Sequence, residues 1–418
     1  MIEKLKSLDT FSKNIIIVFA GTSLLNFFNL LYQLLIAHKL SPTDFAEFNS
    51  LLSIFMVISS SLGTIQLAVA KYSAEFNARG QVAKVKFLLS DLFKKTSVLA
   101  VLTFLVFWLS SGFITKVLKI PSLNSAYILA CLLALCWPTP VLTGAVQGLE
   151  LFGWLTLASV VSGALKLVLA FIAILSGYAI SGALGALLIS SLIFLGIFYF
   201  PLRKSISVKA QKEDIDYKQI IIYLFPVAIS TFCYMSLVSM DMILVKYFFK
   251  PQDSGIYSLA QMVGKIFLFL PAAISIVMFP RSSGQNAKNL DTFSTLKRSL
   301  CYASILCIIA SLIYNLFPGF IMKVLTGKIF SESVMLGRLF SVSMIFFALL
   351  FVLITYFLSI KDLRFIKYLV LFTILEFLAI ALFHSNLIQI QLILSINAIL
   401  LFLIHLALAY RKTVTVTA

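Results

Sequence analysis

Apolar segments long enough to cross a membrane dominate this chain and limit what it can fold into. A transmembrane helix needs about 20 mostly apolar residues. Twelve stretches meet that ruler: 14–37, 45–70, 96–115, 123–147, 153–175, 179–201, 219–247, 254–279, 299–321, 333–359, 365–384 and 388–410. The expected fold is an all-α polytopic membrane protein with twelve transmembrane helices. Composition agrees, because 61% of the 418 residues are hydrophobic and only 12% are charged, against about 25% charged in soluble domains. The fifth and sixth segments are separated only by Ser176-Gly177-Tyr178, which predicts a tight helical hairpin. Pro138 and Pro140 in the fourth, Pro226 in the seventh and Pro271 in the eighth predict bends, since proline removes a backbone donor.

The formal net charge of +17 suggests nucleic acid at first sight. No soluble stretch is long enough to fold as a binding module, so that class is excluded and no nucleic-acid partner is expected. In a membrane protein the excess reports topology, because cytoplasmic loops are basic. With the N-terminus inside, 23 Lys and Arg residues fall in cytoplasmic segments, 8 on the opposite side, and Lys166 and Lys265 within spans. Both termini are therefore expected in the cytoplasm. Lys246, near the outer end of the seventh span, reads as a snorkelling side chain. The polar start MIEKLKSLDTFSK lacks a small-residue cleavage site after it, so the first span is expected to be retained. The five cysteines lie inside apolar segments without metal-ligand company and read as small buried hydrophobes.

The most basic connection, Arg203 to Lys218, divides six spans from six. The turn after the first span reads LSPTDFAEFNSL from Leu40, and the turn after the seventh reads FKPQDSGIYSLA from Phe249. At an offset of 209 residues, Pro42 matches Pro251, Asp44 matches Asp253, Ala46 matches Gly255 and Phe48 matches Tyr257. Six spans are an even number, so both copies start on the same side and the repeat is parallel. The organisation expected is an N-terminal six-helix bundle over 1–207, a cytoplasmic linker over 208–218 and a C-terminal six-helix bundle over 219–418.

Polar residues recur at helical spacing within several spans. Thr22, Asn26, Asn29 and Gln33 share a face of the first, and Tyr257, Gln261 and Lys265 run at i, i+4 and i+8 on the eighth. Such residues either join helices through hydrogen bonds or line a hydrated cavity. Asn26, Asn29, Gln33 and Gln261 are candidates for the cavity. Four charges lie well inside spans: Lys166, Asp241, Lys265 and Glu376. A charge at membrane depth costs roughly 3 kcal/mol on insertion scales and usually finds a partner or a cavity. One reading pairs them as structural ion pairs. The other makes the lysines a cationic wall for an anionic substrate, with Asp241 or Glu376 binding a coupling cation. Lys166 and Glu376 stand 210 residues apart, at nearly equivalent places in the two halves. No GxxxxGKS or GxxxxGKT string is present, and neither a nucleophile elbow nor a metal cluster. The histidines His38, His384 and His405 are scattered and expected near span ends. Short loops leave no room for a catalytic domain, so an enzyme is not expected, nor a cofactor.

The seventh and eighth spans resemble those of the Wzx-type polysaccharide-biosynthesis flippases. These belong to the multidrug/oligosaccharidyl-lipid/polysaccharide (MOP) exporter superfamily. The likeness rests on Pro226, Asp241, Pro251, Asp253, Gly255, Tyr257, Ser258, Ala260, Lys265, Pro271, Phe279, Pro280 and Arg281. SLGTIQLAVAKYSAEF from Ser61, QGLELFGW at Gln147 and KLVLAFIAILSGYAISGALGA from Lys166 extend it over nearly the whole chain. The resemblance implies two six-helix bundles in a MATE/MOP-like fold around a cationic cavity. It also implies that lipid-linked oligosaccharide, such as a precursor of O-antigen, lipopolysaccharide or capsule, crosses the bacterial inner membrane by alternating access. Expected partners are membrane lipids, a polysaccharide polymerase and a chain-length regulator. One departure is Met242, where the family often has Arg or Lys after the aspartate. Lys166 and Lys265 would then supply more of the positive field. A small-molecule or multidrug exporter of the same superfamily, or a non-transporting scaffold for glycan assembly, remains the alternative.

Overall fold

The computed structural model describes residues 10–203, 213, 217–269, 271–288 and 290–417. The linker expected over 208–218 therefore lies mostly outside the described residues. So do Lys4, Lys6, Lys204, Lys209 and Lys212 among the cytoplasmic cations. Among the described residues the chain is all-helical, with seventeen helices. They are α1 Thr10–Lys39, α2 Pro42–Ala78, α3 Val82–Leu109, α4 Ser111–Val117, α5 Leu123–Leu135, α6 Pro138–Gly148, α7 Phe152–Leu175 and α8 Ala179–Leu202. There follow α9 Tyr217–Leu237, α10 Met240–Phe248, α11 Pro251–Phe269, α12 Ala272–Ala287, α13 Phe293–Leu316, α14 Pro318–Thr326, α15 Ser331–Ser359, α16 Ile366–Leu382 and α17 Leu387–Thr417.

Ten of the expected spans are helices long and apolar enough to cross a membrane, and an eleventh is the pair Leu224–Leu237 and Met240–Phe248, bent by 42°. The remaining expected span, 365–384, is α16, whose 17 residues make about 25 Å of helix, a little under the hydrocarbon thickness. Prolines act as their chemistry predicts at two of the three sites. The fourth span breaks at Cys136-Trp137 just before Pro138, and the eighth breaks before Ala272 at Pro271. The seventh differs: α9 continues through Pro226, and the break falls at Val238-Ser239, immediately before Asp241.

The chain forms two compact units. The first contains Met1–Leu40 and Ile58–Ala228, the second Ser41–Val57 and Ile229–Ala418. In the first, α7 packs along both α1 and α8, while α5 packs on α3 and α8. Its core joins Val69, Val85, Leu89, Val141, Ala145, Ala158 and Phe198. There α6 approaches α2 so closely that a Cβ on Gly144 would lie 2.6 Å from the Gln66 carbonyl oxygen. In the second unit α15 is central, packed by α11, α12, α13 and α17. It buries Phe340, Met344, Phe347, Leu350, Leu353 and Phe357 on successive sides, as a helix hydrophobic all round must.

Candidate functional site: two buried polar clusters

Each unit holds a polar cluster around the in-span charges. In the first, α7 carries Lys166, and its Nζ donates to Asn29 Oδ1 on α1. The same ammonium stands over the Tyr32 ring, 4.7 Å from its centroid. Tyr32 Oη donates in turn to the Ala183 carbonyl on α8, at 2.9 Å. One helix, α1, thus holds the lysine through an amide oxygen and an aromatic face, both neutral, and α8 fixes the aromatic ring. Such partners orient an ammonium and shield it partly from lipid, but they leave its charge uncancelled. Of the α1 residues singled out by spacing, Asn29 joins Lys166, Gln33 is half-buried beside it in sequence, and Asn26 is exposed. Tyr32 was missed because an aromatic in an apolar helix carries no polar signal of its own.

In the second unit the break at Val238-Ser239 places Asp241 in the first turn of α10, where free amides and the helix dipole favour an anion. Its side chain is fully buried. Tyr257 Oη donates to Oδ2 at 2.8 Å, and Gln261 Nε2 donates to Oδ1 and Oδ2, each at 2.8 Å. The Met242 amide adds a backbone donor. Lys265 follows one turn later on the same face of α11, half-buried and within electrostatic reach of Asp241. Glu376 on α16 is buried as well, and its Oε2 accepts from Asn397 Nδ2 on α17 at 2.5 Å. The fields of Asp241 and Glu376 overlap, and Glu376 also acts on Tyr257. The i, i+4, i+8 stripe of α11 is therefore one wall around two carboxylates.

The structural reading in which each buried lysine pairs with a buried acid is not what these contacts form. Lys166 is held by neutral groups, and among the described residues no ion pair joins Lys265, Asp241 or Glu376 to an opposite charge. Lys246 does not snorkel. It is fully buried, and its Nζ lies 3.3 Å from Glu47 Oε1 on α2. Glu47 sits within the repeated turn and carries no helical-spacing signal. His405 also departs from expectation, lying buried in α17 against Phe357 and Phe365 rather than at an interface. Cys136, Cys233 and Cys307 are buried, but Cys301 is exposed. Asn397 was missed because the polar residues of the last span were read only as part of an apolar run.

A family model described as polysaccharide biosynthesis protein matches residues 11–285. The chain belongs to that family. No curated protein sequence matches it. Among solved structures it is similar to a multidrug resistance MATE family transporter of the MOP superfamily in an inward-facing conformation, with a TM-score of 0.75 at 15% identity. That likeness covers 94% of this chain and 96% of the other. It is also similar to the lipid II flippase MurJ in an inward closed conformation, with a TM-score of 0.72 at 16% identity over 94% of this chain and 87% of that one. The MATE multidrug transporter DinF-BH matches with a TM-score of 0.66 at 16% identity, over 95% and 94% of the two chains. The fold this polysaccharide biosynthesis protein shares with these structures agrees with the spans described above.

Proposed function

We propose that the protein is a flippase moving an undecaprenyl-pyrophosphate-linked oligosaccharide repeat unit across the bacterial inner membrane by alternating access. The observation that carries this reading is the state of Lys166: half-buried within a span, positioned by Asn29 and Tyr32 of α1, and with no ion pair among the described residues. An uncancelled cation at membrane depth is costly and marks a substrate path by default. It suits a pyrophosphate or acidic sugar and repels a cationic drug. Lys166, Lys265, Asn29, Gln33, Asn26 and Gln261 are the residues assigned to the substrate. Asp241 and Glu376 are assigned to the coupling cation or proton, since two interacting carboxylates beside the single charge of Lys265 have room for one added positive charge. In this reading both termini are cytoplasmic, and a polymerase and a chain-length regulator receive the product.

The test is exchange of Lys166 and Lys265 for Ala, separately, in a strain lacking the gene, with surface polysaccharide as the readout. Loss of polysaccharide at normal protein level is expected. Full activity would remove the cationic role. The similarity to MATE transporters favours one other reading, export of small molecules. It predicts altered drug sensitivity with polysaccharide unchanged when the gene is deleted.

A further inference from the structure

The first turns of α2, residues Ser41–Val57, are part of the second unit, whereas the helix continues into the first from Ile58. Two contacts among the described residues help to hold them there. One is packing between the copies of the repeated turn: a Cβ on Gly255 would lie 2.8 Å from the Pro42 carbonyl carbon and 2.9 Å from its oxygen. Only glycine permits that approach. The other is the Glu47–Lys246 ion pair, with side chains 7% and 0% exposed. Asp44 adds its field to Glu47 and to Lys328 nearby.

A buried ion pair is a poor choice for stability, because desolvating two charges roughly cancels their attraction. It has a different property. Attraction scales inversely with the local dielectric, so wetting the pair weakens it about fourfold on going from an effective value near 20 to that of water. Glu47 also has its second oxygen, Oε2, buried without a hydrogen-bond partner among the described residues, a group that gains from hydration. The pair therefore holds while dry and releases once water enters. We propose that Glu47 and Lys246, with the Gly255–Pro42 contact, form a latch that fastens the start of α2 to the second unit and opens once in each transport cycle. Both are positioning residues, and the proposal rests on the transport reading above.

The experiment replaces the pair by apolar residues of similar size, Glu47→Leu with Lys246→Met, in the full chain. The same substitutions are made in a version whose five cysteines are replaced and which carries Ser254→Cys as a reporter. Ser254 is buried in the first turn of α11, beside Gly255. A latch that no longer releases should slow maleimide labelling of the reporter about tenfold in membranes, equivalent to about 1.4 kcal/mol. Heat stability should be equal or higher, and surface polysaccharide should fall. Labelling and export both at the wild-type level would overturn the latch. Should that variant fold poorly, the reversed pair Glu47→Lys with Lys246→Glu keeps a releasable ion pair and should label and export like wild type. Failure of the reversed pair to do so at normal protein level would equally overturn it. Labelling does not depend on the substrate, so a protein that carries no polysaccharide at all would still show whether the latch opens.

Discussion

Asp241 offers the sharpest separation of structural from functional charge. Its carboxylate accepts from Tyr257 Oη and twice from Gln261 Nε2, and Lys265 lies within its field. Asp241→Ala strands those donors in a buried site. Each unsatisfied buried group costs about 1–3 kcal/mol, so two of them cost about 2–6 kcal/mol. Lys265 also loses its counter-charge, which adds to the loss. Asp241→Asn keeps the shape and most of the bonding: the amide oxygen accepts from Gln261, and the amide nitrogen donates to the Tyr257 hydroxyl oxygen. Its expected cost is about 1 kcal/mol, the net worth of an ordinary hydrogen bond. The assay is thermal unfolding of the purified protein in detergent, beside surface polysaccharide in the deletion strain. The expected order is wild type, then Asn close behind, then Ala well below, with export lost in both variants. Equal destabilisation by Asn and Ala would show that the charge itself holds the fold. Full export by Asp241→Asn would remove the coupling role altogether.

Asn29→Asp should cancel the Lys166 charge by giving it a carboxylate partner, lowering surface polysaccharide while protein level holds; unchanged polysaccharide would refute the need for an uncancelled cation. Gly144→Val places a branched side chain where the backbone of α2 stands 2.6 Å away, and should destabilise the first unit by about 1–3 kcal/mol or more, seen as a lower unfolding temperature. Lys328 lies outside the spans, and burial pushes its amine below the ordinary lysine value of 10.5, with Asp44 opposing. A lowered lysine is charged at a cost below its folded value, and the fold regains that cost as pH rises towards 10.5. Lys328→Met should therefore unfold at the same temperature as wild type or higher at pH 7, and lose the gain that wild type shows between neutral and alkaline pH.

The parts legible in the sequence are those written in local periodicity. Span length depends only on a run of apolar residues, so the helices of the twelve-span array were visible. The stripe Tyr257, Gln261, Lys265 was visible because residues four apart share a helix face, and it does face Asp241. What that face meets was not visible. A lone aspartate and a lone lysine in apolar helices invite each other as partners, and the choice of a tyrosine hydroxyl and a glutamine amide instead depends on how α10 is aimed. That aim is set by the break at Val238-Ser239, which no proline announces.

Lys246 shows the same limit over a longer range. Near the end of an apolar helix a lysine ordinarily reaches for the interface, and nothing local distinguishes one that turns inward. Its partner Glu47 lies 199 residues away, on a helix of 37 residues. At 1.5 Å per residue that helix is about 55 Å long, well beyond a bilayer core of about 30 Å. A helix so long has turns to spare outside one span's worth of packing, and here the first of them pack with α10 and α11 in the second unit. The repeated turn supplies the reason this is sterically possible. Where the first copy has Ala46 the second has Gly255, and the missing methyl is what lets the Pro42 backbone lie against α11. The duplication thus accounts for the two turns, while the single glycine that differs between them accounts for their contact, and the ion pair beside it is the chemistry that contact makes available.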